Sequence, residues 1–176
     1  EMQMMSNKNN FSFTQSLDYF ERAKRRIPAQ AQTFSKGWTQ FPFGASPLFA
    51  QRADGAFLWD VDGNRFIDWP MALGPLLLGH NYPSVVEAVR KQLGEGIAFS
   101  LPHKKELELS DKLVEWFPFA DMVRFAKNGS DVTTGAVRAA RAYTGKDVVL
   151  CCGYYGWHDW FIGTTTRSIG VPASTQ

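Results

Sequence analysis

The run from Arg124 to Trp160, "RFAKNGSDVTTGAVRAARAYTGKDVVLCCGYYGWHDW", narrows the possible folds more than any other part of the chain. The apolar stretch "DMVRFA" reads as a buried strand and enters Asn128-Gly129-Ser130-Asp131. A helix is expected from Asp131 to Tyr143, closed by Gly145, and "DVVLCC" is expected to be the next strand before the chain breaks into Gly153-Tyr154-Tyr155-Gly156-Trp157-His158. Strand, helix and strand with short connections predict a parallel pair with a right-handed crossover, hence an α/β fold with a mainly parallel sheet. In such a sheet the strand-to-helix loops lie together at the carboxyl ends of the strands, where ligands bind.

The preceding part reads differently. "FTQSLDYFERAKRRI" has Leu17, Phe20, Ala23 and Ile27 at helical spacing, so a first helix is expected to end before Pro28. Residues 29–47 are rich in Gly, Pro, Ser, Thr and Gln with interspersed aromatics, the pattern of a long irregular segment that packs over something larger. "LFAQRADGAFLWDVDGNRFIDW" then gives three short strands with Asp54-Gly55 and Asp62-Gly63 at the hairpin turns, a β-meander. Asp60-x-Asp62-x-Asn64 resembles the start of a calcium loop, but the required glycine belongs at the sixth position and Gly63 is at the fourth; no metal site is expected. Pro83 opens a further helix with Val85 or Val86, Val89 and Leu93 as its buried stripe, and a helix from Lys104 to Phe117 carries Leu109, Leu113 and Trp116 or Phe117. The final residues supply no closing element, so the parallel sheet is expected to stop after its second strand.

Composition sets limits on partners. The 176 residues are 44% hydrophobic and 20% charged, enough for an ordinary globular core. A net charge of +2 with mixed signs along the chain gives no reason to expect nucleic acid. The two cysteines, Cys151 and Cys152, are adjacent and suit neither a disulfide framework nor a C-x-x-C zinc site, which favours a reducing compartment. No stretch is long enough to span a bilayer, and a cytoplasmic location is expected.

The chemistry concentrates in the two loops. Asn128-Gly129-Ser130-Asp131 opens a helix whose first amides are unpaired and whose dipole favours an anion; Gly129 admits close approach and Ser130 offers a hydroxyl. Ser130 or Asn128 can equally be a plain helix cap. Tyr154 and Tyr155 follow the neighbouring strand, so that an aromatic ring can lie beside the anion site, although these rings and Trp157 can also simply close the edge of a core. There is no G-x-G-x-x-G and no Walker lysine. A phosphate seat beside a stacking face suits a compact phosphorylated heteroaromatic such as pyridoxal 5'-phosphate.

"FAKNGSDVTTGAVRAARAYTGK" followed by "GYYGWHDW", and preceded by "DVDGNRFIDW" and "GPLLLGHNYP", resembles the class III pyridoxal-phosphate aminotransferases, and among them the enzymes similar to glutamate semialdehyde aminomutase. Residues 1–12 are polar and are expected to be a mobile terminus; the resemblance implies the pyridoxal-phosphate transferase fold of type I, with 13–80 as small-domain helix, irregular segment and meander, and 81–176 as the truncated start of the large cofactor-binding domain. It implies that Gly129, Ser130 and Asp131 bind the cofactor around its phosphate and that Tyr154 stacks on its ring. Tyr155 stands where the family has histidine. The resemblance further implies an amino donor and a carbonyl acceptor as small-molecule partners, a homodimer for the complete enzyme, and a cofactor-bearing lysine beyond the region this sequence covers.

Two departures bear on the substrate. Leu73 precedes Gly74-Pro75 where aminomutases of this type carry tryptophan, and Gln32 stands where they carry arginine. Without that cation a glutamate-like carboxylate is poorly matched, and a neutral or sugar-like acceptor becomes as suitable. The expected activity is amino-group transfer. Intramolecular amino migration and a non-catalytic cofactor-binding or dimerisation module are the alternatives, while a small nucleotide-binding domain lacks its fingerprint.

Overall fold

The computed structural model describes residues 11–175, so most of the N-terminal segment 1–12 lies outside the described residues. The chain divides into two compact units, the first ending at Ala98 and the second beginning at Phe99.

In the first unit, α1 (Thr14–Lys24) buries Phe20 and Ala23, the expected apolar positions. Phe13 at its N-cap offers no side-chain acceptor. The cap comes from far along the chain: the Asp62 carboxylate accepts from the Gln15 and Ser16 amides at 2.7 and 2.9 Å. These are orphan donors of the first helical turn, and an anion there also complements the helix dipole. Asp62 is held in turn by the buried Asp60, which accepts from the Asp62 and Asn64 amides at 3.0 and 2.8 Å and from Asn64 Nδ2 at 2.7 Å. Asn64 Nδ2 also donates to the Ser12 carbonyl at 2.6 Å. The carboxylates that resemble a calcium loop are therefore committed to the backbone of a turn and a helix start.

The meander forms as its Asp-Gly turns require. Strands β1 (Ala50–Asp54), β2 (Phe57–Asp60) and β3 (Arg65–Ile67) pair antiparallel in that order, with Ala53 opposite Leu58 and Leu58 opposite Phe66. Gly55 takes φ +52° and Gly63 φ +85°, conformations that glycine adopts without a Cβ penalty. The irregular segment does pack over an element: Trp38 and Phe43 close on Phe20 of α1 at 5.8 and 5.5 Å between ring centroids. Gly55 and His80 exchange both backbone hydrogen bonds, and His80 Nε2 lies 2.7 Å from Asp68 Oδ2. Helix α2 (Pro83–Glu95) begins at the expected proline.

The second unit holds α3 (Lys104–Trp116), α4 (Gly129–Thr144) and the short α5 (Asp159–Ile162). His103 and Glu106 form a reciprocal capping box on α3. Gly145 ends α4 at φ +66°.

Three expectations are corrected. The segments 121–126 and 147–152 form no ladder, so the parallel pair is absent among the described residues. Met122 is 91% exposed and Leu150 96%, so neither run is buried. Parallel strands occur with both faces of their sheet covered, and neither run has that cover among the described residues. For the same reason the stripes of α2 (Val85, Val89, Leu93) and α3 (Leu109, Trp116), with Phe117 just beyond, are exposed, although the helices themselves start and stop as their caps dictate.

The Asp62 cap has a pH signature. Burial opposes its ionisation, but the nearby Ser16 hydroxyl and the Gln15 and Ser16 amides outweigh it and hold the carboxyl below its ordinary value. A depressed carboxyl contributes stability that is full above the unfolded-state value near 3.8 and is lost as pH falls through the folded value. Asp62→Ala should cost about 1 kcal/mol at neutral pH, the scale of a lost N-terminal cap. The difference between wild type and variant in thermal melts should shrink below about pH 4; a difference independent of pH would mean that the charge is not what caps α1.

Candidate functional site

The site is built by the first two turns of α4 and the loop from Gly153 to Trp160. Asn128 caps the helix, its side-chain oxygen accepting from the Asp131 amide at 3.2 Å. Asn128 therefore takes the plain capping role, and Ser130 is left for other work. Among the described residues the Gly129 and Ser130 amides have no acceptor. A Cβ at Gly129 would meet nothing within 4 Å, so the helix start is uncrowded on that side.

Ser130 is buried between helix and loop. Its Oγ accepts from the Trp157 amide at 3.3 Å, which leaves the hydroxyl proton available to a second acceptor. Gly156 makes this contact possible. At φ +110° it lies so close that an added Cβ would stand 2.5 Å from Ser130 Oγ and 2.9 Å from Ser130 Cα. One turn further on, Thr133 Oγ1 donates to the Tyr155 carbonyl at 2.7 Å. Thr134 Oγ1 meets His158 Nδ1 at 2.7 Å and accepts from Trp160 Nε1 at 2.9 Å. Three polar positions of α4 thus fasten the loop along its length.

Phe161, 5% exposed, is the apolar centre of the loop. The rings of Tyr154, Tyr155 and Trp160 surround it at 5.7, 5.6 and 5.7 Å, the two tyrosines edge-on. Tyr154 touches Phe161 and keeps 76% of its surface exposed, so a ring face remains open. The Tyr155 hydroxyl donates to the Cys152 carbonyl at 2.5 Å. The Asp131 carboxylate lies 3.7 Å from His158 Nε2.

Of the residues singled out from sequence, Gly129, Ser130, Asp131, Tyr154 and Tyr155 come together in this assembly. Gln32 and Leu73 belong to the first unit, both exposed, with Leu73 in a left-handed turn where Met71, Ala72 and Leu73 have φ 43°, 55° and 70°. Sequence reasoning missed Thr133, Thr134, His158 and Phe161. The signal available was the pair of threonines one turn after the loop's serine, on the face that must meet the second loop.

The arrangement fits a phosphate monoester on a small flat ring. Two free amides, a dipole and a serine proton serve the anion, and the exposed face of Tyr154 belongs to a loop tied to the same helix turn.

Comparison with known proteins agrees in family. The model of the aminotransferase class-III family matches residues 42–175. Glutamate-1-semialdehyde 2,1-aminomutase from Thermus thermophilus is 38% identical over 161 residues, covering 89% of this chain and 38% of that protein. Among solved structures, the PLP internal aldimine form of the FumI protein of Sphingopyxis sp. MTA144 superposes with a TM-score of 0.82 at 34% identity, over 90% of this chain and 38% of that one. An omega-transaminase from Sphaerobacter thermophilus gives 0.77 at 30% identity, over 90% and 39%. The chain spans about two fifths of the length of these relatives. The mixed α/β architecture is accordingly a portion of the pyridoxal-phosphate transferase fold, as expected from the sequence.

The two glycines should separate packing from access. Gly156→Ala should destabilise the second unit by about 1–3 kcal/mol, because both its backbone conformation and the Ser130 contact refuse a Cβ. Gly129→Ala should leave the melting temperature within about 1 °C. Denaturation of both variants decides; equal stability of Gly156→Ala and wild type would show that the loop does not close on α4 in solution.

Proposed function

The chain belongs to the class-III aminotransferases, and on that premise we propose that it provides the phosphate seat and ring platform of a pyridoxal-phosphate-dependent enzyme that transfers an amino group between an amino donor and a carbonyl acceptor. The observation that carries this reading is the pair of unpartnered amides at Gly129 and Ser130 on the same helix turn that anchors the Tyr154 loop. When bound, the cofactor supplies an electron sink for the carbon that gains or loses the amino group.

The chain's own residues bind and orient. The Gly129 and Ser130 amides and the Ser130 hydroxyl donate to phosphate oxygens, and the α4 dipole favours the charge. Tyr154 covers one ring face and excludes water from it. Asp131 sits beside His158 and keeps its carboxylate on the loop side of the seat. Tyr155, with its hydroxyl held by Cys152, shapes the wall behind the ring. Gln32 and Leu73 are proposed to line the substrate pocket, where an amide and an aliphatic side chain favour an acceptor without a second carboxylate. A homodimer in the cytoplasm completes the proposal. The uncovered apolar faces support an assembly, and no helix of the described residues is long and apolar enough to cross a membrane.

Amino migration within an amino aldehyde such as glutamate semialdehyde is the second reading, supported by the 38% identity to the Thermus aminomutase. The protein that carries this chain should move a ¹⁵N label from an amino donor to a separate carbonyl acceptor. Label that stays within one molecule would favour migration, and no movement with any donor would favour a binding module.

Cofactor affinity tests the seat directly. Ser130→Ala should weaken pyridoxal 5'-phosphate binding by about 1–2 kcal/mol. Tyr154→Phe should bind as wild type, and Tyr154→Ala should lose about 1 kcal/mol of ring contact. If Tyr154→Phe binds as poorly as Tyr154→Ala, the phenol and not the ring face makes the contact.

A further inference from the structure

His158 has no part in the contacts proposed above, yet it lies at the centre of a polar chain. Trp160 Nε1 donates to Thr134 Oγ1 at 2.9 Å, Thr134 Oγ1 meets His158 Nδ1 at 2.7 Å, and His158 Nε2 faces Asp131 Oδ1 at 3.7 Å. The chemistry of these groups orders the protons. An indole N–H can only donate, so Thr134 must accept from Trp160. Its single hydroxyl proton finds an acceptor when it points at His158 Nδ1, the unprotonated nitrogen in this assignment. The imidazole proton sits on Nε2, on the side of the Asp131 carboxylate. With this assignment Trp160 Nε1, Thr134 Oγ1 and His158 Nδ1 are each hydrogen-bonded, and the Nε2–H faces the Asp131 carboxylate at 3.7 Å. The reverse tautomer would leave the Thr134 hydroxyl with two donors and direct a lone pair at a carboxylate.

The location gives the chain a purpose. His158 also caps α5, its carbonyl accepting from the Phe161 and Ile162 amides at 3.0 Å each, and Phe161 is the apolar centre against which Tyr154 rests. The imidazole therefore joins α4 to the element that carries the ring platform. The Trp157 ring meets the imidazole edge-on at 5.3 Å, and the His158 side chain is 30% exposed.

We propose that His158, held as the neutral Nε2–H tautomer by Thr134, is a positioning residue that keeps the Tyr154 loop in register with the α4 amides. This rests on the proposed cofactor seat for its consequence but not for its geometry. Nothing in it requires His158 to touch cofactor or substrate.

The test uses the protein that carries this chain, with ¹⁵N-labelled histidine and labelled backbone, in wild type and in two variants. Thr134→Val keeps the shape and removes the hydroxyl; Thr134→Ser keeps the hydroxyl. Long-range ¹⁵N–¹H spectra should show the Nε2–H tautomer of His158 in wild type and Thr134→Ser, and a mixture in Thr134→Val. Amide exchange at Trp157 should be about tenfold faster in Thr134→Val and restored in Thr134→Ser, the scale of one lost hydrogen bond. An Nδ1–H tautomer in wild type overturns the proposal, and this measurement stands even if Thr134→Val does not fold. Unchanged tautomer and unchanged exchange in a folded Thr134→Val overturn it equally. Pyridoxal 5'-phosphate is the separate arm. Should wild type show the expected tautomer and exchange but bind no pyridoxal 5'-phosphate, the seat is refuted while the positioning role of His158 is upheld.

Discussion

The contact between Gly156 and Ser130 is the constraint on which the site depends. An added Cβ at Gly156 would stand 2.5 Å from Ser130 Oγ, so two loops far apart in sequence can meet only because one of them lacks a side chain there. Once they meet, the Trp157 amide reaches Ser130, the Tyr155 carbonyl reaches Thr133 and the His158 ring reaches Thr134. The donors of the proposed anion seat follow from this contact together with the Asn128 cap. Because Trp157 donates to Ser130, the serine proton is free, and because Asn128 caps through the Asp131 amide, the Gly129 and Ser130 amides remain free. The close approach thus sets the role of the Ser130 hydroxyl, and the Asn128 cap sets which amides of the helix start are left over.

The first unit solves a similar problem by other means. Its first helix lacks a local cap, and the turn between β2 and β3 supplies one through Asp62. Asp60 is buried to hold that turn, so a tight hairpin and a helix start are fixed by one cluster of carboxylate and amide groups. Both units therefore rely on polar contacts between segments distant in sequence, while much of their apolar surface remains uncovered.

What could be read from the sequence follows from this division. Helix boundaries at Pro83, Lys104 and Gly145 and the hairpins at Asp54-Gly55 and Asp62-Gly63 were legible, because proline, glycine and Asp-Gly act locally on the backbone. The start of α4 at Asn128 was legible as a cap because a capped helix start is a short-range pattern. The Asp62 cap, the Phe161 centre and the Thr134–His158 bond were not, since each joins residues more than a few positions apart or depends on which face a side chain takes. The strand pair at 121–126 and 147–152 was misread for a related reason. An apolar run states that a strand would be buried, but its pairing depends on neighbours that local sequence does not describe.

The most direct measurement of the central claim is a titration of the ¹⁵N-labelled chain with pyridoxal 5'-phosphate and, separately, with inorganic phosphate, followed at the backbone amides. Both ligands should move the Gly129 and Ser130 resonances first and furthest, and only the aromatic ligand should also move Tyr154 and Phe161. Saturating shifts confined to other residues, or an aromatic ligand that leaves Tyr154 unmoved while inorganic phosphate and it behave alike, would contradict the account of one seat made from an α4 cradle and a tyrosine platform.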